Sequence, residues 1–552
     1  MAGPYEGRPW LGLFDPGKAA EIVPEFVDGL EMFRAAVARA ADAPAVLYFD
    51  GKLTYAELDA ISDAIAVELI EQGFQAGDRL GIYLQNVPQW LVGILAAWKA
   101  GGIAVAINPM NREREIGLLF DDCTPKALLC HGSLYEGVIA NLAPGTHRPE
   151  IVITTSALDF QTRHDARLFA GVTRRQPGNV TDFVAVAGRR AGQKPPARAG
   201  FAADDIAFLV YTSGTTGVPK GAMNTHGNVA FNSQGYKDWI ELREGGPILG
   251  VAPLFHITGL IGHIGAAFAA AAPLILCYRF EAGVVMDAIE EHKAEFTIGS
   301  ITVFIAMMNH PAARREKLAS MTKIYSGGAP IPPSVVTQFA DKFGHYIHNG
   351  YGLTETNSPT HAVPLTRTAP VDPTSGALSI GVPWFNTISR ICDDNGDEVA
   401  VGDIGEIVSE GPQIVPGYWN KPQQTAESFR NGRFHTGDVG FMDADGWFYI
   451  VDRKKDMINA AGYKVWPREV EDVLYTHNAV REAGVIGIPD TYRGETVKAV
   501  ISLKPGANTT PHDIIEFCKT RMAAYKIPRT VEIIPDLPKT VTGKILRREL
   551  RG

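Results

Sequence analysis

Over the first 450 or so positions, short apolar runs alternate with stretches whose apolar residues recur at helical spacing. Residues 79–84 (RLGIYL) form one such run, 88–99 a helical pattern and 103–107 (IAVAI) a second run. This order predicts parallel strands joined by crossover helices. Residues 205–211 (DIAFLVY) read as a further buried strand that stops at a loop of small residues. Two apolar stretches, 91–107 and 258–277, approach the length of a membrane span. The first carries Lys99 and Gly101-Gly102, the second His263 and Pro273, so each is read as a buried helix running into a buried strand. The segment 193–200 is a Pro/Ala connector, and the polar stretch 173–192 is expected to be a mobile surface excursion.

The pattern changes near Asp452. Arg453, Lys454, Lys455 and Asp456 form a charged run, and a compact stretch follows. Pro467 suits the first turn of a helix with Val470, Val473 and Leu474 on one face. Strands are expected at 483–488 and 499–503. The stretch is read as a small α+β domain behind a charged hinge.

Composition narrows this only slightly. At 552 residues the chain is too long for a single core, so two or more domains are expected. A formal charge of −9 argues against a broad basic face for nucleic acid. The five cysteines are scattered with no CxxC pair, which disfavours a disulfide framework or zinc site and fits a reducing cytoplasm. The N-terminal residues lack the basic-then-apolar pattern of a secretory signal. No integral membrane segment is expected. Peripheral membrane contact stays open, as does oligomeric state, a homodimer included.

The candidate chemistry starts at the small-residue loop, Thr212-Ser213-Gly214-Thr215-Thr216-Gly217-Val218-Pro219-Lys220-Gly221. Glycines allow close backbone approach, and successive amides and hydroxyls can donate to phosphate oxygens. Lys220 adds positive charge. The spacing is not that of a Walker A loop, because Pro219 precedes Lys220 and Gly221 follows it.

The run YTSGTTGVPKG resembles the phosphate loop of the adenylate-forming superfamily, in its acyl-CoA synthetase branch. Further motifs stand in the family's order: PLFHITG at 253–259, YSGGAP at 325–330, NGYGLTET at 349–356, FHTGD at 434–438, VDRKKDMINAAGYKVWPREVE at 451–471 and PKTVTGKILRREL at 538–550. The resemblance covers the chain from about residue 200 onward, with weaker marks such as LTYAELD at 53–59. It implies an α/β fold: a large N-terminal domain (1–451) of stacked mixed and parallel sheets with a small barrel-like subdomain, a hinge at 452–455, and a small mobile α+β C-terminal domain (456–552).

It also implies roles. Thr212, Ser213, Gly214, Thr215, Thr216 and Lys220 would hold the phosphates of ATP, with Mg²⁺ on Thr212 and Glu355. Gly328, Ala329 and Pro330 would form one side of the adenine site and Asn349, Gly350 and Tyr351 the other, with Tyr351 stacking, and Gly352 and Thr354 would also bind the nucleotide. Asp438 would take the ribose hydroxyls beside Ile450 and Arg453. His256 would face the reacting carboxylate in an acyl pocket with Thr258, Gly259, Gly262, Val303, Gly327 and Gly352. Lys544 would stabilise charge at the α-phosphate during adenylation. Gly462 and Lys464 would line the path of coenzyme A, and Lys455 would be the hinge residue.

No acidic residue stands in ITGLIGHIGAAF (257–268) to hold an ammonium group, so an amino-acid substrate is disfavoured. Gly259, Gly262 and Gly265 either leave room for a bulky apolar acid or serve helix packing. Fatty, alicyclic, terpenoid and aryl acids are not separated at this stage. No carrier-protein segment follows Lys544, which favours free coenzyme A over a separate carrier protein as acceptor. An oxidative second step, or a non-catalytic nucleotide binder, ranks below both.

Overall fold

A computed structural model describes residues 3–178, 180–212, 219–453, 456–460, 463–490, 494–540 and 544–550. Two large sheets dominate. One has seven strands, in the order Thr181–Asp182, Ile151–Thr155, Ala127–His131, Arg79–Tyr83, Ile103–Ile107, Ile206–Thr212 and Lys220–Thr225. All neighbours run parallel except the last pair. The other has nine strands, with Pro44–Tyr48, Leu274–Leu276, Ile248–Leu249, Phe296–Gly299, Lys323–Ser326 and Ile347–Tyr351 parallel at its centre. Helices Tyr55–Glu71 and Gln89–Lys99 pack on each other, the first against the nine-stranded sheet and the second against the seven-stranded one.

The helix Gln89–Lys99 is buried along its whole length, as a helix between two layers must be. Lys99 is tolerated there because its ammonium pairs with Asp59 and Asp63, each at 2.6 Å, and donates to the Ser62 hydroxyl at 2.8 Å. The second apolar stretch breaks into the helical segments Ile257–Gly259, Leu260–Gly265 and Ala266–Ala270, then the strand Leu274–Leu276. Among the described residues no helix is long and apolar enough to cross a membrane.

One expectation is corrected. The polar stretch 173–192 is not a loose excursion: Thr181–Asp182 adds an edge strand, and the helix Phe183–Arg189 buries Phe183 and Val186. Arg189 and Arg190 from this stretch reach the buried Glu68 at 2.5 and 3.0 Å. Composition missed it because two buried side chains and two ion pairs are enough to anchor a short polar segment.

A third, antiparallel sheet contains Ile388–Cys392, Gly405–Glu410, Arg433–Met442 and Phe448–Arg453. The C-terminal stretch forms its own sheet and core. The strands Val480–Asp490 and Gly494–Leu503 pair antiparallel, both longer than the apolar runs suggested, and Thr530–Ile533 adds in parallel. The helix Pro467–Tyr475 opens with proline in its first turn and buries Val470 and Leu474. It is tied to the rest of the protein by Arg468, whose Nη1 donates to the Ile450 carbonyl at 3.0 Å.

Candidate active site

The rim of the phosphate loop is a hairpin. Ile206–Thr212 and Lys220–Thr225 pair antiparallel with Thr212 opposite Lys220. Ser213, Gly214, Thr215 and Thr216 lie outside the described residues. Below the rim, the Tyr211 hydroxyl donates to Asp122 Oδ2 at 2.7 Å, and Asp122 also pairs with Lys421. Lys220 Nζ sits 4.8 Å from the centre of the Tyr418 ring, a cation–π contact. The hydroxyl of the same tyrosine donates to Glu355 Oε1 at 2.7 Å. Burial, with Glu355 beside it, pushes the Tyr418 hydroxyl far above its ordinary pKa, so it stays a proton donor.

Sequence reasoning missed Tyr418. Its signal is only a Gly-Tyr step at 417–418, which becomes meaningful when Tyr418 bridges to Ala222 and the Trp419 amide donates to the Gly221 carbonyl.

Glu355 stands in the short 3-10 turn Thr354–Thr356 and is 8% exposed. Three buried asparagines, none singled out from sequence, fix that turn. Asn224 Nδ2 donates to the Thr354 carbonyl at 3.1 Å and to Asn357 Oδ1 at 3.0 Å. Asn232 Nδ2 donates to the Asn357 carbonyl at 2.8 Å, and Asn357 Nδ2 donates to the Asn228 carbonyl at 2.7 Å. Asn357 has φ 50°, a left-handed conformation asparagine tolerates better than most residues. Among the described residues no lysine or arginine forms a salt bridge with Glu355. A buried carboxylate with one oxygen held by a hydroxyl and no paired cation suits a hard metal ion.

The second rim lies where parallel strands end. Lys323–Ser326 and Ile347–Tyr351 finish together, with Ser326 opposite Asn349. Gly327, Gly328, Ala329 and Pro330 follow the first strand; Gly350 and Tyr351 end the second, and Gly352 follows it. At Gly327 a Cβ would stand 2.5 Å from the Gly350 carbonyl, so the two backbones touch and only glycine fits. Asn349 Nδ2 donates to the Ser379 carbonyl at 3.0 Å.

The Tyr351 hydroxyl donates to Asp438 Oδ2 at 2.8 Å, joining the antiparallel sheet to this strand end. Asp438 pairs in register with Arg453, and Ile450 with Gly440. A crevice at the carboxyl ends of parallel strands is the usual place for a ligand in an open α/β sheet.

His256 precedes the helix Ile257–Gly259, and its Nδ1 accepts the Thr258 amide at 3.3 Å. Burial lowers its pKa to about 4, and the Lys544 ammonium contributes to the shift. The ring is therefore neutral at pH 7, and with Nδ1 accepting, its proton sits on Nε2. Lys544, in the C-terminal stretch, is thus within electrostatic reach of His256. The Thr540 amide donates to the Lys544 carbonyl at 2.7 Å, and the Lys544 amide donates to Thr540 Oγ1 at 3.0 Å. Lys464 lies in the strand Tyr463–Val465 of the C-terminal sheet. Lys455 and Gly462 lie outside the described residues.

The glycines after His256 pack closely against neighbouring elements on the side where a Cβ would stand. A Cβ at Gly259 would run into the Pro253 carbonyl, one at Gly265 into the Ser233 hydroxyl, and one at Gly262 would lie 2.8 Å from Ile298 and 3.1 Å from the Tyr236 ring. Val303, buried on the helix Ile301–Asn309, stands beyond the end of Phe296–Gly299.

Residues 33–419 match the AMP-binding enzyme family, and residues 469–544 match the AMP-binding enzyme C-terminal domain. The chain is 34% identical over 556 residues to a long-chain-fatty-acid–CoA ligase of Bacillus subtilis (strain 168), covering 98% of this chain and 97% of the relative. It is also 34% identical over 509 residues to a feruloyl-CoA synthase of an Amycolatopsis species, covering 92% and 95%. The anthranilate CoA ligase AuaEII, solved with anthranoyl-AMP, superposes with a TM-score of 0.86 at 25% identity over 97% of this chain and 98% of that one. The chain belongs to the adenylate-forming superfamily of AMP-binding enzymes, in its acyl-CoA ligase branch.

Proposed function

We propose that this enzyme activates a hydrophobic carboxylic acid with ATP, releases pyrophosphate, and transfers the acyl group from AMP to coenzyme A. The observation that carries the reading is the Tyr418 bridge that sets Glu355 beside Lys220 and Thr212 at the phosphate rim, with Asp438 held by Tyr351 at the strand ends and the buried His256 within electrostatic reach of Lys544. In the first half-reaction a carboxylate oxygen of the acid attacks the α-phosphorus of ATP, and the bond to the bridging oxygen of the departing pyrophosphate breaks. Lys544 neutralises the charge that gathers at the α-phosphate, while His256, neutral with its proton on Nε2, can donate to the carboxylate. Losing such a preorganised donor typically costs about 3–4 kcal/mol. In the second, the coenzyme A thiol gives up its proton, attacks the acyl carbon and displaces AMP.

Glu355 and Thr212 supply the oxygen donors that would hold Mg²⁺, which when bound neutralises phosphate charge. Lys220, poised on the Tyr418 ring, would grip the departing pyrophosphate. Asp438 would hold the ribose, with Gly328–Pro330 and Asn349–Tyr351 on either side of the adenine. The domain division at 452–455, with Lys455 as pivot and Gly462 and Lys464 along the thiol's path, belongs to the same reading.

The acid is of fatty or bulky alicyclic or terpenoid type. An aryl acid is the second reading, favoured by the likeness to the feruloyl-CoA synthase and the anthranilate CoA ligase. Pyrophosphate release should be measured over a panel of acids with and without coenzyme A. Release with formation of a CoA thioester supports the proposal. Release without a thioester points to a carrier protein as acceptor, and no release on any acid points to a binder.

A further inference from the structure

The hairpin that carries the phosphate loop is anchored on a carboxylate outside the motifs, Asp122. It stands in the last turn of the helix Glu113–Cys123, a turn that holds no basic residue. A carboxylate there faces the negative end of the helix dipole, so local helix stability does not explain it. Its contacts run to two other segments. Oδ2 accepts the Tyr211 hydroxyl at 2.7 Å, and Oδ1 pairs with Lys421. The Asn420 side chain donates to the Asp122 carbonyl at 3.2 Å. Arg79 reinforces the same junction. It donates to the Cys123 and Thr124 carbonyls at 2.7 and 2.9 Å, and its guanidinium lies 5.9 Å from the centre of the Trp419 ring.

Both contacts of the carboxylate bear on the phosphate end. Tyr211 precedes Thr212, and its ring lies across to the opposite strand: a Cβ at Gly221, its register partner, would stand 3.1 Å from that ring. Holding the hydroxyl therefore fixes both strands at the mouth of the loop. Burial, with Cys123 and Asp122 beside it, raises the Tyr211 pKa far above its ordinary value, so the hydroxyl remains a donor. Lys421 and Asn420 hold the segment 417–421, which carries Tyr418, the ring under Lys220 and the partner of Glu355. That segment is joined to the hairpin by the Trp419 amide, which donates to the Gly221 carbonyl at 2.8 Å. The strand ends at Asn349 and Tyr351 belong to the other large sheet and have contacts of their own, to the Ser379 carbonyl and to Asp438.

We propose that Asp122 is a positioning residue for the pyrophosphate half of ATP, acting through Tyr211 and Lys421 and not by touching the nucleotide. This rests on the acyl-CoA ligase reading and deepens it: the grip on the β- and γ-phosphates is built separately from the grip on AMP.

The test is isothermal titration calorimetry of the full-length enzyme with MgATP and, separately, with AMP, so that no acid need be known. Asp122→Leu should weaken MgATP binding about tenfold, the scale of one charge-assisted hydrogen bond, and leave AMP binding within about twofold. A merely structural defect would move both ligands together. Asp122→Asn keeps an acceptor for Tyr211 but loses the charge facing Lys421, so it should lose less than Asp122→Leu. It carries the test if Asp122→Leu does not fold. Lys421→Met should shift MgATP binding in the same direction. Combined with Asp122→Leu, it should cost no more than the larger single loss, because both act through one contact. MgATP binding unchanged in the Asp122 variants, an equal loss for MgATP and AMP, or additive losses in the combined variant each overturn the inference while the ligase reading stands. A parent enzyme that does not bind MgATP overturns both.

Discussion

The two cations nearest the proposed chemistry, Lys220 and Lys544, are held in opposite ways. Lys220 opens a strand, pairs in register with Thr212 and lies on a tyrosine ring whose hydroxyl holds Glu355. Lys544 lies in the C-terminal stretch and is held by two backbone contacts with Thr540. The domain carrying it meets the rest of the protein through contacts such as Arg468 on the Ile450 carbonyl. The first cation stands on a strand of the large N-terminal sheets, and the second, in the proposed reading, is delivered from the C-terminal stretch. Fixed donors suit groups that bind in both half-reactions, such as phosphates and ribose. A delivered donor suits a charge needed in only one.

The largest expected effect breaks the comparison on the delivered side. Lys544→Ala should lower ATP–pyrophosphate exchange by about 10²–10³-fold, the equivalent of about 3–4 kcal/mol, while ATP affinity and melting temperature stay near those of the parent. Normal exchange would mean that Lys544 plays no part in the first step. Next comes the hinge. Proline at Lys455 would fix φ and restrict the residue before it, so Lys455→Pro should slow thioester formation by about 100-fold and leave pyrophosphate exchange within about twofold. Equal loss of both half-reactions would remove the hinge from the account.

The fixed side is tested by a smaller change. Tyr418→Phe keeps the ring under Lys220 and removes only the hydrogen bond to Glu355. Bonds to charged groups contribute about 1.5–3 kcal/mol, so metal affinity in the presence of ATP should fall about tenfold, read by Mg²⁺ titration of activity and by Mn²⁺ binding in electron paramagnetic resonance. Tyr418→Leu should add a loss in affinity for ATP itself. If Tyr418→Phe leaves Mn²⁺ binding unchanged, the tyrosine merely packs.

The sheets were legible because their strands are continuous apolar runs, and the motif residues because glycine, histidine and acidic positions stand out against them. What was not legible depends on contacts far apart in the chain. Tyr418 acquires meaning only 63 positions from Glu355. Asn224, Asn232 and Asn357 are ordinary polar residues until a buried turn needs donors and acceptors on all sides. The close packing at Gly259, Gly262 and Gly265 comes from neighbours distant in the chain, such as Ile298 and Ser233. The edge strand at Thr181–Asp182 was hidden because a two-residue strand leaves no periodicity to read.

The smallest effect tests whether the delivered charge is felt at all. His256 stays neutral down to about pH 4, first because it is buried and then because Lys544 stands near. In the unfolded chain the same ring titrates near 6.5. The folded state therefore gains stability above pH 6.5 and loses it as the pH falls from 6.5 to about 4, at about 1.4 kcal/mol per pH unit for this one group. Removing the ammonium in Lys544→Gln should move the His256 titration upward, yet keep it below 6.5, because burial is the larger cause and remains. The window of acid destabilisation should narrow correspondingly. Proton NMR of the imidazole with labelled histidine reads the shift directly and needs no turnover. An unmoved titration would separate Lys544 from the acyl end, and the contrast between a fixed and a delivered cation would then lose its geometric basis.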